Sequence, residues 1–363
     1  MSRAKSAKSS ARPTPHPDDV ERLMALGLRN LWYPVAPSWM VRQAPVGMTR
    51  LGERIVLWRD AAGQVHALED RCPHRGARLS LGWNLGDRVA CWYHGIEIAG
   101  DGTVVRVPAV EDCPLEGRRC VKSYPCIERD DAIFLWFGDG LQAAPAPLVL
   151  PDELTSPRHA HFLCTAAWRC NYRYAIDNVM DPMHGAYLHA TSHSMGQGDK
   201  RAVMRISKTE HGLIFEKVGQ RGINFDWTEW GETGAQWMRL AIPYRKDAGP
   251  GGPFTIVGCV TPVDADNCRV FFWRIRQVEG WQRDVWRFLF RTRLEGFALG
   301  GAGAGPGGCS SSSRPSARDR EFLYQHDTGL ARIRRLFQER AEQQLTALAA
   351  AARGGQATGA AAE

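Results

Sequence analysis

The chain has no apolar run approaching the roughly 20 residues that a membrane helix needs, so no spanning segment is expected. Its opening stretch, Met1 to Pro17, lacks the apolar core of a secretory signal; it is basic and rich in Ser and Pro, and reads as a disordered tail. Disulfide scaffolding is missing as well. Of ten cysteines in 363 residues, eight (113, 120, 126, 164, 170, 259, 268 and 309) are scattered without a framework, which fits a reducing cytoplasm. Nor is charge of one sign concentrated. The net charge of +7 is spread along the chain apart from the tail and Arg332–Arg340, and no nucleic-acid motif accompanies it, so a solvated surface is the better reading. What remains, 44% hydrophobic and 23% charged residues, is ordinary for a globular protein, long enough for two domains.

The two remaining cysteines carry the information. Cys72-Pro-His74-Arg-Gly76 and Cys91-Trp-Tyr-His94-Gly95 each offer one thiolate and one imidazole at short spacing and close on glycine. Zinc ribbons and fingers usually pair like with like, Cys with Cys and His with His. A mixed split suits an asymmetric iron–sulfur cluster, with both thiolates on one iron and both imidazoles on the other. Neutral imidazoles lower the negative charge around such a cluster and raise its potential. Gly76 and Gly95 permit tight loops whose N–H groups can point at sulfide.

About a hundred residues on, Asp181-Pro-Met-His184-Gly-Ala-Tyr-Leu-His189 places two histidines five apart and an acid three before the first. On a helix Asp181 and His184 share a face, so the carboxylate can orient the imidazole. Five residues make about 500° of rotation, so His184 and His189 would diverge on an ideal helix. Pro182 and Gly185 make a distortion or a helix end plausible there. Two histidines and a carboxylate with open positions form the facial triad of non-haem Fe(II) oxygenases. His193 reads as a loop hydrogen-bonder, and Met180, Met183 and Met195 as packing.

Together the two motifs resemble the oxygenase (α) component of Rieske non-haem iron oxygenases, closest to the phthalate- and vanillate-type members, from about Leu31 to Phe337. The resemblance implies that Cys72, His74, Cys91 and His94 hold a [2Fe–2S] cluster and that His184 and His189 bind a mononuclear Fe(II). It implies that Asp181 bridges between an iron ligand and a Rieske histidine of a neighbouring subunit, in a head-to-tail ring, commonly a homotrimer. It further implies a separate flavin/iron–sulfur reductase that passes electrons from NAD(P)H, and a small aromatic substrate, an acid among the candidates, that meets O2 at the iron and is hydroxylated or demethylated. A pure Rieske electron-transfer protein is the rival; respiratory members carry an extra cysteine beside each loop, where this chain has Gly76-Ala77 and Gly95-Ile96.

The expected fold is α+β: an N-terminal all-β Rieske domain, then a helix-grip catalytic domain in which an antiparallel sheet wraps around helices. Residues 1–28 form a basic tail and short helix, 29–142 the Rieske domain, 143–154 a Pro-rich linker, 155–350 the mononuclear iron domain and 351–363 a flexible tail. Asp60–Gly63 and Gly100–Gly102 read as hairpin turns. Ala167 to His189 reads as helical, as do Trp281 to Leu294 and Thr328 to Ala351, with strand-like runs between them.

The third iron ligand is where the chain departs from its relatives. They place an Asp in a Glu-x-Asp-Arg/Lys segment of a late helix, soon after the position of Leu294. Here residues 300–313 read Gly-Gly-Ala-Gly-Ala-Gly-Pro-Gly-Gly-Cys-Ser-Ser-Ser-Ser, which cannot form a helix at reasonable cost. Either Asp319 or Asp327 serves instead, or the reading frame is shifted. Codons for Gly300 to Pro306 chosen as GGC-GGT-GCT-GGA-GCA-GGA-CCG, read from the second base, give Ala-Val-Leu-Glu-Gln-Asp and the start of an Arg codon. On that hypothesis the chain as written lacks its carboxylate ligand, and the result is an assembled but inactive oxygenase.

Overall fold

A computed structural model describes residues 15–142, 144–190, 199–223, 225–243, 253–289, 318 and 320–359. The chain opens on helix α1 (Pro17–Leu26), entered through Pro17 and closed by Gly27 at φ 106°. Ten strands follow in three small antiparallel sheets: β1 (Leu31–Pro37) with β10 (Ala132–Phe137) and β9 (Cys126–Arg129); β2 (Val46–Arg50), β3 (Glu53–Arg59) and β4 (Val65–Glu69); and β5 (Trp83–Asn84), β6 (Arg88–Ala90), β7 (Glu97–Ala99) and β8 (Val104–Arg106). The Asp60–Gly63 and Gly100–Gly102 segments turn the β3–β4 and β7–β8 hairpins, as the sequence predicts. Strand β10 is buried at all six positions because apolar layers lie on both its faces.

A seven-stranded antiparallel sheet makes up the rest. Its order is β11 (His159–Trp168), β17 (Cys268–Gln277), β16 (Phe254–Pro262), β15 (Trp237–Ile242), β14 (Trp227–Gly231), β13 (Gly212–Lys217) and β12 (Met204–Lys208). One face carries α3 (Tyr172–Met180) and the long α6 (Thr328–Gly359). Tyr172, Ile176 and Met180 meet Leu213, Phe215, Trp230 and Met238 from the sheet and Ile333 and Phe337 from α6. Trp230 and Trp237 are core. This is the expected α+β architecture: an all-β N-terminal part followed by a sheet that grips helices.

The helical reading of Ala167 to His189 needs correction. Ala167 and Trp168 end strand β11, paired with Arg269 and Cys268, and helix begins only at Tyr172, capped by the Asn171 side chain. The stretch before it, with Thr165 its one β-branched residue, hid a strand whose apolar residues alternate, buried at Ala160, Phe162, Cys164 and Ala166. Helix Trp281 to Leu294 is seen as α5 (Gln282–Leu289); its remainder and the segment at 300–313 lie outside the described residues. Between the two halves, Leu148, Leu150 and Leu154 of α2 (Asp152–Thr155) and the run before it are buried among Trp32, Trp136 and Trp237. Further ties cross the same seam: the Trp273 indole donates to the Asp130 carbonyl (2.6 Å), and the Thr261 hydroxyl to the Pro34 carbonyl (2.7 Å).

Candidate metal centres

The two Cys–His loops are built alike. In one, the Cys72 amide donates to the Ala77 carbonyl (2.8 Å) and the Gly76 amide to the Cys72 carbonyl (3.0 Å); in the other, Cys91 donates to Ile96 (2.8 Å) and Gly95 to Cys91 (2.9 Å). Each turn closes on a glycine in the left-handed region, Gly76 at φ 74° and Gly95 at φ 70°. Here L side chains are strained, which accounts for both glycines.

The loops set four donors in two pairs. Cys72 and Cys91 are buried at 2% and 1% exposure, in a core with Val56, Leu68, Leu79 and Ile98. Burial, and beyond it the Cys91 thiol alongside, pushes Cys72 up to about 11; a metal's positive charge is what converts such thiols to thiolates. His74 and His94 are exposed, and their Nδ1 atoms face each other at 3.2 Å. Two nitrogens each about 2.1 Å from one metal stand that far apart at a near-tetrahedral angle. Thiols inside and imidazoles at the rim therefore fit a two-metal cluster gripped unevenly. Trp92 and Tyr93, half exposed, flank the rim.

In the second motif, Pro182 ends α3 at Met180, and Asp181 is extended (φ −90°, ψ 105°) rather than helical. The expected shared helix face is therefore a turn. It still brings Asp181 Oδ2 to 3.6 Å from His184 Nδ1, while Oδ1 accepts from the Met183 amide (2.7 Å). A new short helix, α4 (Gly185–Leu188), starts at His184 and stops at His189. This break overturns the divergence expected on an ideal helix: the two rings meet edge to face with centroids 5.2 Å apart. Phe225 packs edge-on against His184 at 5.6 Å. Burial, then the His184 ring, holds His189 below the usual imidazole range, in the neutral form that a metal takes. His184 Nδ1 is buried with no hydrogen-bond partner. Two imidazoles beside a carboxylate fit a ferrous ion.

The third ligand is not seen. Asp319 and His193 lie outside the described residues. Asp327 is occupied elsewhere, its Oδ2 accepting from the Tyr324 amide (2.9 Å) as a turn cap. Among the described residues, no three His, Cys, Asp or Glu side chains converge to hold one ion. One feature of this site escapes the motif reading. Lys217, at the end of β13, is 2% exposed and its Nζ has no hydrogen-bond partner. Its parity with Leu213 and Phe215 was the available signal, since alternation puts all three on the covered face.

Residues 31–125 match the Rieske [2Fe-2S] domain family and residues 168–343 the vanillate O-demethylase oxygenase C-terminal domain family. The chain is 36% identical over 174 residues to the toluene-4-sulfonate monooxygenase system iron–sulfur subunit TsaM1 of Comamonas testosteroni (46% of this chain, 47% of that one). It is 31% identical over 232 residues to the dicamba O-demethylase oxygenase component of Stenotrophomonas maltophilia (59% and 66%). These alignments with curated relatives span about half to two thirds of the relatives' length. The fold matches the crystal structure of dicamba monooxygenase bound to dicamba with a TM-score of 0.67 at 24% identity, over 88% of this chain and 98% of that one. The Rieske domain brings with it a [2Fe–2S] cluster. With that domain leading a vanillate O-demethylase-type C-terminal domain on one continuous fold, the chain belongs to the Rieske non-haem iron oxygenase family.

Proposed function

We propose that this protein is the terminal oxygenase of a multicomponent system that hydroxylates or demethylates an aromatic acid with O2. The observation that carries this is the pair of contacts His184 makes at the helix break, ring to ring with His189 and 3.6 Å from Asp181, in a chain that also bears the paired Cys–His loops. Cys72 and Cys91 hold one side of the cluster and His74 and His94 the other. The cluster supplies single electrons, and a ferrous ion on His184 and His189 supplies the place where O2 and substrate meet.

The residues' own work follows from their positions. Asp181 Oδ2 stands 3.6 Å from His184 Nδ1, so the carboxylate orients the ring by its charge and leaves Nε2 for the metal. Phe225 fixes the ring from the side. The exposed His74 and His94 rings give the cluster an edge through which electrons enter and leave, while burial of the two thiols keeps water from the sulfur side. Electrons come from NAD(P)H through a separate flavin/iron–sulfur reductase. The chains assemble as a ring, a homotrimer, in which Asp181 lies beside a neighbour's cluster histidine. No disulfide joins the nine described cysteines, which supports a reducing cytoplasm. Vanillate and toluene-4-sulfonate, in the names of two relatives, support an anionic aromatic substrate.

A second reading is favoured by residues 300–313: the chain as written assembles its cluster but holds its mononuclear iron weakly, for want of a carboxylate. Iron and sulfide counting, paired with O2 uptake on a panel of aromatic acids and a generic reductase, tests both. About three irons per chain and substrate-dependent O2 uptake are expected of the oxygenase. Two irons with two sulfides and no uptake support the second reading, and sequencing the DNA of that segment then decides whether the frame is shifted. Zinc without sulfide at the Cys–His loops would sink both.

A further inference from the structure

Lys217 is a buried amine that the machinery above does not use. It lies on the helix-covered face of β13, two residues beyond Phe215, whose cross-strand partner Thr228 donates its hydroxyl to the Met180 carbonyl at the end of α3. The Lys217 amide donates to the Asp226 carbonyl (2.8 Å), and Phe225, the residue before, flanks His184. The lysine is thus placed beneath the turn that carries Asp181 and His184. Its nearest acids do not satisfy it. Asp181 Oδ1 accepts from the Met183 amide and its Oδ2 stands 3.6 Å from the His184 ring, while Asp226 Oδ2 accepts from the Gly222 amide (2.8 Å). Asp226 Oδ1 is itself buried without a partner, and burial draws that acid toward its neutral form. Neither carboxylate makes an ion pair with the ammonium among the described residues.

Burial favours the neutral amine at Lys217, against the charges of Asp181 and Asp226; an ammonium without an acceptor there is costly, on the order of several kcal/mol, and is restored where a ligand supplies the missing anion. We propose that Lys217 is the substrate-recognition residue of this site and receives the carboxylate or sulfonate of an aromatic acid, holding the ring against Phe225 and beneath the iron ligands. The assignment rests on the oxygenase reading but concerns binding alone, so it is testable without turnover.

The test measures dissociation constants by tryptophan fluorescence, anaerobically, for matched pairs: 4-methoxybenzoate against 4-methoxybenzamide, and toluene-4-sulfonate against toluene-4-sulfonamide. The wild type is expected to prefer each acid over its amide by about 10- to 100-fold, the range of one charge-assisted hydrogen bond. Lys217→Gln should abolish that preference while still binding the amides, and Lys217→Arg should retain part of it. Equal binding of acid and amide by the wild type overturns the proposal, whatever the variants do. So does a preference that survives in Lys217→Gln, which would place the anion elsewhere. Failure of all four compounds to bind the wild type counts instead against an aromatic substrate, and so against the functional reading. Should Lys217→Gln not fold, the wild-type pairs and the Arg variant still decide.

Discussion

At the scale of single residues, groups that hold the fold stand apart from the groups proposed to hold metal. Glu53 is the clearest of the first kind. Burial alone would raise its carboxyl, but hydrogen bonds from Lys122 and Tyr124 and the charge of Arg29 outweigh that and hold it below the usual range. A depressed carboxylate stabilises the fold above its unfolded value, near pH 4.3, and loses that contribution as pH falls through the folded value. Glu53→Gln is expected to cost about 1.5–3 kcal/mol at pH 7. In urea melts the gap from wild type should shrink below about pH 4.3; a gap independent of pH would contradict the assignment. The Cys–His spacing needed no structure to be read, because ligand chemistry depends on residue type over a few positions. Lys217 was less legible: a lysine in a strand is usually solvated, and only what packs above that strand shows otherwise.

At the scale of elements, turns and breaks decide where the chemistry lies. Gly102, in the β7–β8 hairpin, has φ +91°, and a Cβ there would stand 1.9 Å from the Val121 carbonyl oxygen. Gly63, in the β3–β4 hairpin, has φ +86° with nothing within 4 Å. Gly63→Ala carries only the conformational cost, about 1–2 kcal/mol, whereas Gly102→Ala adds a backbone collision and should cost about 3 kcal/mol or more. Thermal melts that rank the two the other way would count against the hairpin geometry. Both turns were evident from their Asp and Gly residues. The meeting of His184 and His189 was not, because it depends on how far Pro182 interrupts the helix: periodicity carried through the break sends the rings apart, and restarting it at His184 brings them together. Strand β11 was missed at its end for a related reason, since Ala167 suits a helix and only pairing with β17 makes it strand.

At the scale of the whole molecule, the all-β part and the seven-stranded sheet share one apolar seam. Trp32, Phe134 and Trp136 from the first pack with Trp237, Phe271 and Trp273 from the second, and Phe134 stacks on Trp273 at 6.1 Å. Neither half can lose this layer without stripping the other, so calorimetry should give a single cooperative transition for the described body. Two well-separated transitions would mean that the seam contributes little. The broad architecture was legible because alternating strands and an amphipathic C-terminal helix leave few alternatives. The seam was not, since a Trp in a strand looks the same whichever neighbour covers it. With the halves welded along β1 and β10, neither metal motif has a hinge to swing on, and the gap between them inside one chain is a fixed length. On the proposed ring assembly, any shortening of the electron's path has to come from how separate copies stand against each other, so a substitution that loosens their docking is expected to silence turnover while leaving both centres chemically whole.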